Sequence, residues 1–162
     1  MDLKFSREAI FRALFQLEFN FGAEEERAVF EQLAIETATE DIEDVRARDL
    51  RRMLEKVRGT RDNLEKIDEL IDANLKEGWK FSRLAVTDKI ILQLAIFEMN
   101  FAEKKLPPGI VINEAVELAK KYGSSDDTWK FVNGVLSAVS GTRKPKEISV
   151  EDEEDFDDED EE

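Results

Sequence analysis

The chain has 162 residues, with 24 Lys and Arg against 39 Asp and Glu for a formal net charge of −15, and contains neither Cys nor His. That length accommodates one domain with a sizeable core and a tail, not a catalytic domain beside a binding domain. The missing residue types remove disulfides, thiol nucleophiles, imidazole bases and the usual zinc ligands, so no cofactor and no catalytic chemistry is expected.

Apolar residues recur at spacings of three and four between only three prolines and seven glycines, which predicts an all-α fold of about seven helices. The opening MDLKFSREAIF carries charges where a signal peptide needs a basic region and then an apolar run. No stretch approaches the roughly 20 apolar residues that span a bilayer, so a cytoplasmic protein is expected. The first helix is predicted over 6–19, with Ile10, Leu14 and Leu17 on one face and Phe11 and Phe15 beside it. Arg7 falls in its first turn, where a cation opposes the helix dipole unless an anion also binds. With Lys4 and Arg12 it forms one basic cluster, read as a phosphate site or a solvent face. A second helix is predicted over 24–37. The third, TEDIEDVRARDLRRMLEKVRG, is expected to close at Gly59 as a C-cap. It holds a second basic cluster, Arg46, Arg48, Arg51 and Arg52, interleaved with Glu43, Asp44, Asp49 and Glu55, so a salt-bridged solvent face is expected there. A fourth helix, with Thr60 as N-cap, aligns Leu64, Ile67, Leu70, Ile71 and Leu75 on one stripe. Trp79 follows and is expected to pack at a helix junction.

Thr87 and Asp88 read as an N-cap and a first-turn acid for DKIILQLAIFEMNF, the most apolar and therefore central helix. KKLPPG stops it, because proline lacks the donor a helix interior needs. The stretch INEAVELAKKYGSSDDTWKFVNGVLSAV predicts two helices, 111–122 and one running to about 140, joined by a polar turn. Lys120, Lys121 and Gly123 suit a helix C-terminus, and the SSDD cluster suits the next N-terminus. Asn113 and Asn133 are expected beside the core, where an unpaired amide costs about 1–3 kcal/mol; they must tie the fold together or present a surface. Trp129, next to Lys130, is the candidate for stacking on bases. Phe11, Phe15, Phe19 and Phe131 are read first as core, with Phe15 and Phe131 the pair able to form an exposed apolar patch for a protein partner. Carboxylate pairs such as Asp126 with Asp127, or Glu114 with Glu117, are read as caps and solvated faces, since no EF-hand or phosphate loop accompanies them. GTRKPKEISV then reads as a linker. The segment 151–162, EDEEDFDDEDEE, holds 11 acids and no base; −15 less −11 leaves −4 for residues 1–150. Such a block is expected to be disordered, either as a solubility tail or as a polyanion competing with RNA for a basic surface.

The stretches SREAIFRALFQLEFN, GWKFSRLAVTDKIILQLAIFEMN and VINEAVELAKKYG with KFVNGVLSAV resemble the NusB family of bacterial transcription antitermination factors. The resemblance implies two small helical bundles packed together over 1–141, to which composition and charge add a linker over 142–150 and a disordered acidic tail over 151–162. It also implies a non-enzymatic factor that pairs with the ribosomal protein NusE to bind the boxA element of nascent ribosomal-operon RNA as a single strand. That complex joins transcribing RNA polymerase and suppresses premature termination. The family also supplies an RNA-binding domain in front of some ribosomal-RNA methyltransferases, whose catalytic part is not expected here. Lys4 and Arg7 match the basic N-terminal arm, and Asp126, Asp127, Trp129 and Lys130 lie in or beside the turn near RNA. Phe15, Asp88 and Phe131 match the NusE face, together with Gln93 in place of a common arginine. Asn113, Glu114, Asn133 and Gly134 match the signature of the last two helices, and the asparagines are expected to satisfy backbone groups where those helices meet. Only Lys4 and Arg7 remain of an arm that usually carries several arginines, so most RNA affinity should come through the heterodimer. A homodimer that hides the partner face, or an adaptor that binds only proteins, is the competing expectation.

Overall fold

In the computed structural model, which describes residues 2–20 and 22–141, the spacing of apolar residues resolves into seven α-helices and no strand. They are α1 (Leu3–Glu18), α2 (Arg27–Ala38), α3 (Ala47–Asp62), α4 (Leu64–Ala73), α5 (Val86–Ile96), α6 (Pro108–Tyr122) and α7 (Thr128–Ser140). Short 3-10 turns lie at Glu24–Glu26 and Phe81–Arg83, and a π-helical turn at Phe97–Phe101 extends α5. Helices α1, α2 and α3 pack on one another as one bundle, and α5, α6 and α7 as a second, with α4 set against α5 and α7. Helix α5 also touches α1 and α3, so the most apolar helix is the shared wall. Every residue from Ile90 to Ile96 is buried, which requires neighbours on all sides of the helix; each large aliphatic side chain so enclosed contributes about 1.5–3 kcal/mol. Among the described residues no helix is long and apolar enough to cross a membrane. The predicted linker and acidic tail lie outside the described residues.

Several predicted boundaries move, for local reasons. Helix α3 starts at Ala47 rather than near residue 39, because Asp44 adopts a left-handed φ of 61° and the Asp49 carboxylate accepts the Arg46 backbone N–H at 3.0 Å. Residue 49 therefore fixes the helix start from inside its first turn. The helix runs straight through Gly59. A Cβ at that position would lie 2.2 Å from the Phe97 ring, so the glycine permits close approach of two helices and is no cap. Thr60 is likewise no N-cap: its hydroxyl donates to the Lys56 carbonyl one turn back, and the break to α4 comes at Asn63. Helix α5 takes Ala85 as its N-cap, leaving Thr87 inside the first turn. Helix α6 begins at Pro108, where a missing N–H does no harm. Gly123 has an ordinary φ of −63°, and its need for glycine is space, since a Cβ would sit 2.4 Å from the Ala119 carbonyl oxygen.

Two buried carboxylates join the elements. Glu31 of α2 accepts Arg27 at 3.0 Å and reaches Arg58 and Arg61 of α3 at 3.2 and 2.7 Å. Glu98, in the π-helical turn, lies 2.5 Å from the Lys56 ammonium and 2.8 Å from the Arg7 guanidinium. An acid enclosed this way survives desolvation only because cations from neighbouring helices surround it.

Candidate partner and RNA interface

Helix α1 carries an aromatic ladder that climbs from the core to the surface. Phe11 is buried and stacks on Tyr122, the last residue of α6, with ring centroids 4.7 Å apart. Phe15 lies 6.3 Å from Phe11, and Phe19 lies 5.1 Å from Phe15 edge-on. The upper two are exposed, Phe15 by 37% and Phe19 by 56%. Arg12 donates to the Tyr122 hydroxyl at 3.4 Å, and that bond raises the guanidinium pKa above its ordinary value. The ladder is thus anchored in the core at one end and leaves two apolar rings in water at the other.

At the foot of the ladder the chain turns from α6 into α7. Lys121 places its ammonium 3.0 Å from Glu8 of α1, a bond that raises the Lys121 pKa, and 5.4 Å from the Tyr122 ring. Lys120 and Lys130 approach the half-buried Trp129 ring at 5.3 and 5.7 Å. Both ammonium groups are exposed and weakly held, Lys120 at 3.4 Å from Glu117 and Lys130 at 3.8 Å from Asp127. A cleft of about 220 Å³ between α1 and α6 is lined by Lys4, Glu8, Glu114, Lys120 and Lys121 among others. The turn itself is fixed from below. Asp88 accepts the Ser124 N–H at 3.0 Å and its hydroxyl at 2.6 Å, while the Thr128 hydroxyl accepts the Ser125 N–H at 3.0 Å.

The residues singled out in the sequence divide sharply. Lys4, Lys130, Asp126 and Asp127 are exposed, and Trp129 is half-buried beside two lysines, so these remain available for contact. Arg7 does not: it is 2% exposed and faces Glu98, so it is a core cation and not a phosphate-seeking arm. Its position in the first turn is balanced by the buried acid instead of by a bound anion. Asp88 and Gln93 are also buried, Asp88 on the Ser124 turn and Gln93 donating to Asp68 at 2.8 Å, so neither side chain offers itself to a partner. Phe15 is on the exposed ladder. Phe131 belongs to a different aromatic pair, 5.6 Å from Trp79, and Trp79 is 55% exposed instead of packed into a junction.

Asn113 is exposed and Asn133 half-buried, and among the described residues neither amide makes a side-chain hydrogen bond, so the expected tie between the last two helices is absent. The core face of α6 is Val111, Ala115, Leu118 and Ala119, which leaves residue 113 some 200° round the helix from residue 111. Glu114 is half-buried on the cleft, and Gly134 half-buried on α7. Tyr122, Lys120 and Lys121, which the sequence pattern assigns only to a helix terminus, form the contacts that join α6 to α1 and to Trp129. The arginines of α3 also depart from expectation. Arg46, Arg48, Arg51 and Arg52 are exposed, and no ion pair engages them among the described residues.

The site is an all-helical scaffold that presents exposed aromatic rings and a lysine-rimmed tryptophan, with no cluster of metal-ligating side chains among the described residues, the features of a binding module. The NusB family model matches residues 4–141. The transcription antitermination protein NusB of Staphylococcus carnosus is 44% identical over 140 residues, spanning 86% of this chain and 100% of that protein. That of Thermotoga maritima is 40% identical over 141 residues, spanning 87% and 92%. A solved structure of T. maritima NusB matches with a TM-score of 0.71 at 36% identity, covering 91% of this chain and 96% of that one. A crystal structure of antitermination factors NusB and NusE in complex with double-stranded RNA matches with a TM-score of 0.68 at 26% identity, covering 86% and 96%. The chain belongs to the NusB family of transcription antitermination proteins, and is thereby a regulatory factor and not an enzyme.

Proposed function

We propose that this protein pairs in the cytoplasm with the ribosomal protein NusE, and that the pair binds boxA RNA of nascent ribosomal-operon transcripts and joins RNA polymerase to suppress premature termination. The observation that carries the reading is continuity. The exposed ladder of Phe15 and Phe19 descends through Phe11 to Tyr122, Lys120 and Lys121 stand just before Tyr122 in the last turn of α6, and Trp129 lies in the first turn of α7 across the connecting turn, within 5.3 Å of Lys120. A protein seated on the ladder therefore borders the surface where RNA would stack, and the two can share one strand. A single strand exposes base faces to Trp129 that a duplex hides. The relative solved with NusE and double-stranded RNA supports the pairing and an RNA ligand of some form.

The local cations are few, and Lys120, Lys121 and Lys130 each already face an acid. RNA binding by the lone protein should thus be weak. Engaging two or three phosphates predicts a slope of log affinity against log salt of about −1.4 to −2.1, at roughly −0.7 per phosphate. The same partly neutralised lysines favour a second reading, a protein-only adaptor. Fluorescence anisotropy with a boxA oligonucleotide and a scrambled control, with and without NusE, separates the two. Preference for boxA that strengthens with NusE and falls about 10- to 100-fold in Trp129→Ala supports the first reading. NusE binding with no RNA preference at either of two salt concentrations establishes the second.

A further inference from the structure

We propose that the acidic segment 151–162 of this chain docks on the arginine cluster at the start of α3 and keeps other polyanions off it. The cluster differs from the other exposed cations without an ion pair, such as Arg83, Lys104 and Lys105, in density, with four arginines within seven residues. Arg7, Arg12, Arg27, Arg58 and Arg61 each find an acid. Arg46, Arg48, Arg51 and Arg52 are all exposed, and among the described residues none of them makes an ion pair. Glu43, Asp44 and Glu55 are exposed nearby without engaging them, and Asp49 is buried, with its carboxylate committed to the Arg46 backbone N–H. Arg46 is the N-cap of a 16-residue helix, and Arg48, Arg51 and Arg52 lie in its first two turns, at the end where the dipole already repels positive charge. Asp49, whose carboxyl pKa is lowered mainly by the Arg46 N–H and further by Arg48 and Arg52, offsets part of this charge, and four arginines around one carboxylate leave an excess that an anion can cover.

The chain carries such an anion. Segment 151–162 holds 11 acids and lies beyond residues 4–141, the part that the family shares. Phe156 interrupts the acids and supplies a ring on which a guanidinium can stack. Reach is sufficient. Residues 142–162 together span up to about 70 Å when extended, roughly twice the ~36 Å diameter of a sphere whose radius of gyration is about 14 Å, the value for a domain of this size. Exposed pairs are individually weak, but tethering raises the effective concentration to the millimolar range, so several weak pairs act together. The Trp129 turn is the poorer host for the segment, since its lysines already face Glu117, Glu8 and Asp127, and Asp126 is exposed beside them. Docking on α3 would therefore neutralise the arginines and leave the Trp129 turn open.

The absence of cysteine makes the test direct. A nitroxide attached through Val150→Cys in the full chain should weaken the amide signals of residues 46–52 at low salt. The signals should recover near 1 M salt, where the screening length falls to about 3 Å. They should also recover in the fourfold variant Arg46→Gln, Arg48→Gln, Arg51→Gln and Arg52→Gln, whose remaining spectrum should be unchanged because all four side chains are exposed. Signal loss centred on residues 120–130, or no loss anywhere, overturns the proposal. A third arm titrates a scrambled RNA oligonucleotide into the parent and into a form with the acids of 151–162 changed to Gln and Asn. Larger shifts at 46–52 in the neutralised form support docking. Equal shifts in both forms make the cluster an RNA contact and overturn it.

Discussion

Arg7→Ala separates a structural arginine from an RNA-binding one. The guanidinium is 2% exposed, its Nη2 lies 2.8 Å from Glu98, and the other carboxylate oxygen of Glu98 is held by Lys56 at 2.5 Å. The Arg7–Glu98 contact is electrostatic more than directed: neither Nη1 nor Nη2 makes a well-aligned hydrogen bond. Removing one partner of a buried pair costs about 3–5 kcal/mol, because the other charge is left uncompensated. Here Lys56 remains, so the lower end, about 3 kcal/mol, is expected. With a urea m-value near 2 kcal/mol/M for a domain of this size, the unfolding midpoint should fall by roughly 1.5 M. Below that midpoint, boxA affinity in the presence of NusE should change less than about threefold, since 1.4 kcal/mol is already tenfold. The double variant Arg7→Met with Glu98→Leu should lose less stability than Arg7→Ala alone, as paired charges replaced together leave no orphan. An Arg7→Ala protein that unfolds within about 1 kcal/mol of the parent yet binds RNA tenfold more weakly would refute the reasoning and restore Arg7 to the RNA surface.

Gly59→Ala should destabilise by about 1–3 kcal/mol in the same assay, despite a helix-propensity gain of about 1 kcal/mol, because the new methyl meets the Phe97 ring; adding Phe97→Leu should recover part of the loss. Asp88→Ala should speed exchange of the Ser124 amide at least tenfold and weaken NusE-dependent RNA binding, while unchanged exchange would show that the turn holds without it. Burial raises the Asp68 carboxyl pKa, partly offset by the Gln93 hydrogen bond. A carboxyl with a folded pKa above its unfolded value near 3.9 contributes stability that is complete below the unfolded pKa and is lost as pH rises through the folded one. Asp68→Asn keeps the acceptor for Gln93 and cannot ionise, so its thermal midpoint should exceed the parent's at pH 7 by more than at pH 4; an advantage independent of pH would sink the assignment.

Helical periodicity carried the fold, because α5 needs a continuous apolar run and α4 a single stripe, and both patterns are local. The misread boundaries share one cause. Gly59 and Gly123 carry general helix-end signals, yet what decides them is the Phe97 ring and the Ala119 carbonyl, contacts that exist only after packing. The candidate site was legible where the side chain stays out of the core, as at Phe15, Trp129 and Lys130. It was misleading at Arg7, Asp88 and Gln93, which look like surface residues by type. Nothing in the one-dimensional pattern announces that Glu98 or Ser124 will meet them. Tyr122 escaped notice for the opposite reason, since its role depends on stacking with a ring 111 positions earlier.

The π-helical turn at Phe97–Phe101 acts as a phase shift. The Ala102 N–H bonds back five residues to the Phe97 carbonyl at 2.8 Å, and the Leu106 N–H reaches the Glu98 carbonyl at 3.1 Å. One residue more than an α-helix would use is wound into this turn, so a helical wheel drawn through 86–101 loses register at its end by about 100°. Trimming that residue to regularise the helix, an obvious move for an engineer seeking stability, would rotate everything after it relative to α1 and α3. The chain leading to α6 would then lose the Leu106 N–H bond that ties it to the Glu98 carbonyl, at the residue whose carboxylate answers Arg7 and Lys56 where the two bundles join.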